Sequence, residues 1–230
     1  MSYLLAIETA TKVCSVALFK DDQLIQLKEE KGAYSHAENL AEFTSQLLAD
    51  SNLSAKDLSG IIISKGPGSY TGLRIGISFA KGLCYSLDIP LISIDTLHAL
   101  ALGWKQSENP ETDLICPMID ARRMEVYSAI YDFELRRLKS ISADVIEVGS
   151  YEELLEDNSI VFVGDGAEKC QNLLKGQNRA FRGDFLPSAG YLGKEGYKKF
   201  LSSEIEDVAY FEPYYLKEFV ALKSKKGSLD

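Results

Sequence analysis

The first part of the chain consists of short apolar runs separated by polar turns, a pattern that predicts a β-meander. Apolar runs lie at 4–7 and 13–19, on either side of a polar turn at 9–12. A third apolar run at 24–27 follows two aspartates that favour a second turn. We therefore expect three consecutive strands joined by short turns.

A helical pattern follows the meander. Ser35 and Glu38 have the S-x-x-E spacing of a capping box, in which the hydroxyl accepts an early helical N–H and the carboxylate reaches back to the cap. Apolar residues then recur at helical spacing to about Asp50. The next predicted elements are a strand at 61–63, a glycine-rich loop at 65–70, a helix at 71–87 and a strand at 91–94.

The second half repeats this beginning. Glu8 and Asp120 each close an apolar strand that leads through a short polar turn into another strand, and they lie 112 positions apart. This repetition predicts a duplicated α/β fold, with the polar stretch 106–110 as its boundary. The remaining predicted elements are strands at 115–120, 126–131, 138–141 and 160–163 and helices at 151–155 and 192–201.

Composition narrows the class of protein. The chain has 230 residues, 46% of them hydrophobic and 26% charged, which is typical of a globular protein. It has no apolar run near the roughly 20 residues that span a bilayer, and no basic region precedes the first apolar run. Four separated cysteines without a C-x-x-C pair fit reduced core thiols. We therefore expect a cytoplasmic protein without a membrane partner.

The net charge of −9 opposes independent binding to nucleic acid, because a body of that sign repels phosphate. Lysines do gather near the end of the chain, at Lys217, Lys223, Lys225 and Lys226. They fit either a solvated tail or a tail that contacts RNA, and the pattern leaves both interpretations open.

The helix after the glycine-rich loop carries an unusual stripe of small residues. Gly72, Gly76 and Ala80 are spaced by four and so lie along one side of the helix. Each interior glycine costs about 1 kcal/mol relative to alanine, so a stable helix needs a compensating close approach. The apolar opposite side predicts contact with the sheet, and it comprises Leu73, Ile77, Leu83, Cys84 and Leu87.

Three interpretations of this loop and helix compete. The loop could bind phosphate, with Lys65 and Arg74 nearby, although it lacks the G-K-[ST] ending of a P-loop and the spacing of a dinucleotide fingerprint. The small stripe could pack on the preceding helix of the same lobe. It could also form a subunit interface, and spacing alone does not decide among the three.

Four sequence blocks are highly specific when taken together. They are the opening LAIETATKVCSVALF, the loop and helix KGPGSYTGLRIGISFAKGL, the strand and turn IDARRMEVYSAIY and the late PYYLKEF. In this order they resemble the TsaB family, formerly YeaZ. The resemblance implies an actin/Hsp70-like fold of two ribonuclease-H-like lobes. It predicts a first lobe over 1–104, against which 208–230 packs back, and a second, smaller lobe over 105–207.

The resemblance also implies a role. TsaB-type proteins pair with the related catalytic subunit TsaD and with the ATPase TsaE. Together they transfer threonylcarbamoyl to the adenosine next to the anticodon of tRNAs that read codons beginning with A. We expect a non-catalytic partner subunit that meets tRNA only through the complex and associates with itself when TsaD is absent.

The family's interface, carried over by matching motif, falls on two helices. The resemblance implies partner contacts at His36, Leu40, Phe43, Gly68, Tyr70, Gly72, Arg74, Gly76 and Ala80. It therefore favours the third interpretation of the small-residue stripe.

Catalysis of its own is not expected. TsaD-like relatives hold a metal through two histidines on one helix, whereas His36 and His98 lie 62 positions apart here, so no metal site is predicted. Glu8, Thr9, Thr11 and Lys12 occupy the place where ATP-using members of the fold organise magnesium and phosphate, but the acid is one methylene longer than the usual aspartate.

We expect no cofactor of its own, and a nucleotide, ATP or ADP, shared at the partner interface stays an open alternative. The rival function is a free-standing ATP-binding phosphotransferase or hydrolase of the actin-like fold.

Overall fold

The computed structural model describes residues 1–32, 36–107 and 112–217 and places their strands in two five-stranded sheets. The first sheet has the order β3-β2-β1-β4-β5 and the second the order β8-β7-β6-β9-β10. The strands of the first sheet are β1 Tyr3–Glu8, β2 Val13–Lys20, β3 Gln23–Lys31, β4 Leu58–Ser64 and β5 Leu91–Ile94. Those of the second are β6 Leu114–Asp120, β7 Glu125–Asp132, β8 Arg137–Val145, β9 Ile160–Val163 and β10 Arg179–Arg182.

The two sheets have the same topology. β1 pairs antiparallel with β2 and parallel with β4, and β6 pairs in the same two ways with β7 and β9. Glu8 and Asp120 end the equivalent strands β1 and β6. The predicted duplication of an α/β fold is therefore confirmed.

Helices cover the first sheet on both faces. They are α1 His36–Asp50, α2 Tyr70–Leu87, α3 Thr96–Gln106 and α6 Gly193–Leu201. The core between the sheet and α1–α2 contains Leu5 and Ile7, and the core on the opposite face contains Leu4 and Ala6. Neighbouring residues of β1 thus point to opposite faces, as the pleat requires. The helix pair α1–α2 and the pair α3 and α6 accordingly lie on opposite sides of the sheet.

Local chemistry sets the ends of α2. The Ser69 hydroxyl accepts a hydrogen bond from the Gly72 N–H at 3.3 Å, which satisfies one of the free donors of the first turn. Asp88 ends the helix in the left-handed region at φ 54°. The capping box predicted for α1 stays a prediction, because Ser35 lies outside the described residues.

Two helices of the second half are much shorter than their counterparts in the first half. α4 Glu152–Leu155 and α5 Ala167–Cys170 each make one turn, where the first half has the long helices α1 and α2. The sequence did not predict α5 or β10, because these four-residue elements, AEKC and RAFR, lack the continuous apolar run that identifies the equally short β5 and β9. The expected helix at 151–155 begins one residue later, since Tyr151 is left-handed at φ 67°.

The end of the described chain returns to the first sheet. Glu206 bridges to Leu91, and the Tyr214 N–H donates to the Lys65 carbonyl at 2.8 Å. The Lys81 ammonium donates to the carbonyls of Ala209 and Phe211 at 3.1 and 3.0 Å. We call residues 206–217 the C-terminal strap. The predicted lobe boundaries stay predictions, and most of the lysine-rich tail lies outside the described residues.

Two further observations concern the cysteine thiols and the hydropathy of the helices. Cys14, Cys84, Cys116 and Cys170 are free and buried. Burial raises the pKa of Cys14 to about 11 and that of Cys84 to about 12, which keeps both as unreactive thiols. Among the described residues, no helix combines the length and the hydropathy needed to cross a bilayer.

Candidate functional site

The glycine-rich loop and the start of α2 pack tightly against the turn after β1. A Cβ atom on Gly72 would lie 2.1 Å from the Thr9 carbonyl oxygen, and one on Gly76 would lie 2.2 Å from Thr9 Oγ1. A Cβ on Gly68 would lie 2.4 Å from the Ala10 carbonyl oxygen. The Thr9 hydroxyl donates to the Gly72 carbonyl at 2.9 Å. The missing side chains of these glycines therefore leave the space that the Thr9-Ala10 turn occupies.

This packing places the small stripe inside the lobe. Gly72, Gly76 and Ala80 are buried within the chain, and their part in a partner interface stays a prediction. The second interpretation, packing within the same lobe, describes them better, although the glycines meet the Thr9-Ala10 turn rather than the preceding helix. Ala80 does belong to the core shared with α1.

Two predicted contacts on α1 are also buried. Leu40 is fully buried in the core, and His36 is 9% exposed, with its Nε2 3.1 Å from the Thr11 carbonyl oxygen. Phe43, one turn along the helix, is half-buried. Of the predicted contacts on this helix, only Phe43 therefore presents an appreciable surface.

Tyr70 and Arg74 lie at the outer edge of α2 and hold the C-terminal strap. The Arg74 guanidinium carbon lies 4.2 Å from the centre of the Tyr70 ring, and the Tyr215 ring stacks on Tyr70 at 4.8 Å. Arg74 Nε donates to the Tyr215 hydroxyl at 3.2 Å. Arg74 is exposed and Tyr70 half-buried, so both can still touch a partner from the edge of the helix.

The exposed surface on this side of the sheet is formed by the sides of α1 and α2 that lie next to their buried sides. On α2 the small residues Ser78, Gly82 and Ser86 are exposed. Apart from its chain neighbours and the backbone of its own helix, a Cβ on Gly82 would have no atom of the described residues within 4 Å. Tyr85 beside them is 86% exposed. An exposed small stripe on α1 comprises Ala37, Ala41, Ser45 and Ala49.

We call this surface the outer α1–α2 face, and it also includes the half-buried rings of Phe43 and Phe79. Sequence reasoning missed it. Its spacing signal, three small residues four apart from Ser78 to Ser86, is as regular as the buried stripe. Gly82 has no packing reason in the described chain, in contrast to Gly72 and Gly76.

Glu8 lies at the predicted nucleotide position and is sealed from solvent. Its side chain is fully buried, and its Oε1 accepts the Ala10 N–H at 2.6 Å. Its Oε2 and the Ser64 hydroxyl, at the end of the adjacent β4, have no hydrogen-bond partner among the described residues. Burial raises the pKa of Glu8 to about 7, although the hydrogen bond from the Ala10 N–H partly opposes the rise.

The neighbouring hydroxyls are occupied as well. Thr9 is committed to Gly72, and Thr11 Oγ1 accepts the Val13 N–H at 3.3 Å. Lys12 is exposed. Of the four residues expected near a nucleotide, the structure thus leaves only Lys12 accessible.

A segment near the end of the second half closes the same region. The 3-10 turn Ala189–Tyr191 packs on β1 and β2, and the Ala189 N–H donates to the Ser15 hydroxyl at 3.0 Å. The Ser188 hydroxyl donates to Glu29 at 2.8 Å. These bonds join the two halves directly over the face on which Glu8 lies.

The equivalent acid of the second half is held by its own lobe. Asp120 forms an ion pair with Lys169 and accepts the Arg122 N–H at 2.8 Å. Its own N–H donates to Asp165 at 2.9 Å. Burial raises the pKa of Asp165, while the charges of Lys12 and Lys169 oppose the rise. Glu8 and Asp120 thus both accept hydrogen bonds from groups of this chain.

The two histidines stand apart in the fold. The His98 ring lies 5.5 Å from the Tyr131 ring, and burial lowers the pKa of His98. His36 lies on α1, on the other face of the sheet. Within ranges 1–32, 36–107 and 112–217, no three His, Cys, Asp or Glu side chains are grouped as metal ligands would be.

Comparisons with known proteins point to one family. The family model described as TsaD, tRNA N6-adenosine threonylcarbamoyltransferase, matches residues 29–211. The tRNA threonylcarbamoyladenosine biosynthesis protein TsaB of Bacillus subtilis is 31% identical, over 83% of this chain and 79% of its own length. TsaB of Escherichia coli is also 31% identical, over 97% of this chain and 98% of its own length.

Solved structures agree with the sequence comparisons. YeaZ from Pseudomonas aeruginosa superimposes with a TM-score of 0.82 at 26% identity, covering 94% of this chain and all of that one. An activator of 2-hydroxyisocaproyl-CoA dehydratase from Clostridium difficile, 10% identical with a TM-score of 0.51, shares the fold alone. The actin-like fold expected from the sequence is thereby confirmed.

Proposed function

Because the chain belongs to the TsaB family of tRNA threonylcarbamoyladenosine biosynthesis proteins, we propose that it is the partner subunit of a TsaD-like threonylcarbamoyltransferase. It acts with a TsaE-like ATPase in the cytoplasm. The complex transfers threonylcarbamoyl to the adenosine next to the anticodon of tRNAs that read codons beginning with A. This chain meets the tRNA only through the complex.

The observation that carries the proposal is the outer α1–α2 face. Gly82 leaves open space in the middle of a long helix, and the exposed ring of Tyr85 stands beside it. A helix that bears an interior glycine without a packing reason gives up about 1 kcal/mol in the isolated chain. Docking of a partner helix against Gly82 recovers that loss, because small residues let two helix backbones approach closely.

The burial of Glu8 and Thr9 supports an accessory role. A phosphate or a magnesium-bound water could reach neither side chain without displacing the turn Ala189–Tyr191 or the start of α2. In this proposal the chain has no catalytic site and no cofactor of its own. A nucleotide shared at the partner interface would be held from outside, with Lys12 as the accessible charge.

Self-association through the same face is part of the proposal. The outer α1–α2 face pairs with a second copy when the TsaD-like subunit is absent, and the two partners compete for it. Mixed samples should therefore contain the heterodimer at the expense of the homodimer.

Reconstitution tests the function. Purified TsaD-like and TsaE-like subunits, threonylcarbamoyl adenylate and unmodified tRNA are incubated with and without this chain, and modified adenosine is measured by mass spectrometry. We expect modification only when the chain is present. Equal modification without it would refute the subunit role.

Calorimetry separates the rival phosphotransferase or hydrolase. The isolated chain is titrated with ATP and magnesium, alongside the Glu8→Ala variant. The proposal expects no tight binding by either protein. Tight binding that the substitution abolishes would favour the rival.

A further inference from the structure

A second surface of the molecule, on the opposite side of the first sheet from the outer α1–α2 face, has the form of a binding groove. It encloses about 880 Å³ between α3 and α6. We call it the α3–α6 groove. Its lining residues are Asp22, Leu102, Lys105, Gln106, Leu135, Lys194, Glu195, Tyr197, Lys198, Leu201 and Ser202.

The groove is built on a fixed support. A Cβ on Gly193 would lie 2.0 Å from the Phe19 ring, and one on Gly196 would lie 2.4 Å from Ile62 Cδ1, so the inner side of α6 sits directly on the sheet. On α3, a Cβ on Gly103 would lie 2.4 Å from the Tyr191 ring. Because these inner sides cannot rotate outward, the opposite sides of both helices are presented to the groove.

The floor of the groove is apolar and partly open to solvent. Leu201 is 65% exposed, Leu135 and Tyr197 are half-buried, and Leu102 lies beneath them. Along α6, residues 194, 197, 198 and 201 have the spacing of one helical face. Leu201 thus continues an apolar surface that Leu102, Leu135 and Tyr197 share, and contiguous apolar surface rimmed by polar side chains is typical of a contact site.

Three lysines surround this floor in a chain of net charge −9. In the described part of the chain, no carboxylate lies within 4 Å of Lys105 or Lys194, and Lys198 has one distant contact, 3.9 Å from Glu195. Lys105 instead lies 5.1 Å from the centre of the Phe133 ring. The lysine charges are therefore largely free for a ligand.

From this arrangement we propose that the α3–α6 groove binds an acidic amphipathic helix of a partner protein. The ligand's apolar side covers Leu135, Tyr197 and Leu201, and its carboxylates pair with the three lysines. A nucleic-acid backbone fits less well, because a phosphate backbone has no apolar side to cover Leu135 and Leu201. The groove can be filled while the outer α1–α2 face is occupied, because the two lie on opposite sides of the sheet.

A fluorescence anisotropy titration tests the proposal with the full chain. The probe is a labelled helical peptide about 14 residues long, four helical turns, with leucines at helical spacing and glutamates elsewhere. The matched peptide carries lysine for every glutamate, and a third probe is a labelled single-stranded RNA of the same length. We expect binding of the glutamate peptide alone, weakening as salt rises.

Two charge reversals locate the site. Lys194→Glu should weaken binding of the glutamate peptide about tenfold or more, while Lys56→Glu, an exposed lysine away from the groove, should leave it unchanged. Circular dichroism checks that both variants fold. Binding of neither peptide, equal binding of both, preference for the RNA, or equal weakening by the two reversals would each overturn the proposal.

The groove proposal does not depend on the proposed function. Lys194→Glu should leave the pairing of this chain with a TsaD-like subunit unchanged, so failure of one proposal is visible without failure of the other.

Discussion

The Thr9 hydroxyl donates a 2.9 Å hydrogen bond to the Gly72 carbonyl, across 63 positions of sequence. A Cβ atom on Gly76 would lie only 2.2 Å from the oxygen of the same hydroxyl. At Gly82, six positions further along α2, no other part of the described chain lies within 4 Å of the position that a Cβ would occupy. One helix thus carries a glycine that the fold requires and a glycine that the isolated fold does not.

Alanine at these two positions should have opposite effects on stability. Gly76→Ala should lower the free energy of unfolding by about 1–3 kcal/mol, because the added methyl group must displace the buried Thr9 side chain. Gly82→Ala should raise it by up to about 1 kcal/mol, because alanine is the better helix former and nothing obstructs its methyl group. Urea denaturation of the isolated chain measures both.

The pair of variants is its own control, since each adds one methyl group to the same helix. If the chain self-associates, denaturation must be repeated at several concentrations so that loss of the homodimer is not counted as loss of folding. A stabilised Gly76→Ala, or a Gly82→Ala destabilised at every concentration, would contradict the packing described for α2.

The first half of this architecture could be predicted from the sequence, and the reason is physical. Strands such as β1 and β2 can be recognised from their apolar residues. The duplication can be recognised because an acid, Glu8 or Asp120, ends the first strand of each half. The interior glycines of α2 were also informative, because their cost in a helix demands a close neighbour.

The identity of that neighbour could not be predicted. Thr9 lies 63 positions before Gly72, and spacing along a helix does not say which segment fills the space beside it. The exposed stripe at Ser78 and Gly82 has the same period as the buried one, so only the fold distinguishes them. Several of the interface residues carried over from the family, among them Gly72 and Gly76, are buried within the chain.

Glu8 should make stability depend on pH. Its pKa rises from 4.5 to about 7 on folding because the carboxyl is fully buried, so between these values the folded state holds a proton that the unfolded state has lost. Stability from this group is therefore complete below pH 4.5 and falls as pH rises towards 7, by about 3 kcal/mol.

Glu8→Gln isolates this contribution, because glutamine is neutral and nearly isosteric. We expect the stability of the variant relative to the natural chain to increase by roughly 3 kcal/mol between about pH 4.5 and about pH 8. Urea denaturation across that range measures the difference. A difference that stays constant with pH would show that Glu8 is not buried as described.

The C-terminal strap should loosen when its aromatic anchor is removed. Tyr215→Ala removes both the stacking on Tyr70 and the hydrogen bond from Arg74, together worth about 1–2 kcal/mol. Hydrogen exchange of the Tyr214 amide, which donates to Lys65, should accelerate about tenfold.

Tyr215→Phe is the matched control, because it keeps the ring and loses only the hydroxyl. Its exchange rate should lie between those of the natural chain and Tyr215→Ala. Unchanged exchange in Tyr215→Ala would mean that the backbone bonds alone hold the strap.

A large side chain at Gly82 tests most directly whether the outer α1–α2 face binds the TsaD-like subunit. Gly82→Arg fills the open space of the outer α1–α2 face without touching the chain's own core, so the variant should fold. Leu138→Arg, at a residue that is 53% exposed on β8, is the matched control on another surface. Light scattering after size exclusion measures the mass of each protein mixed with its TsaD-like subunit. We expect a heterodimer for the natural chain and for Leu138→Arg and separate subunits for Gly82→Arg, whereas a stable heterodimer with Gly82→Arg would show that the partner binds elsewhere.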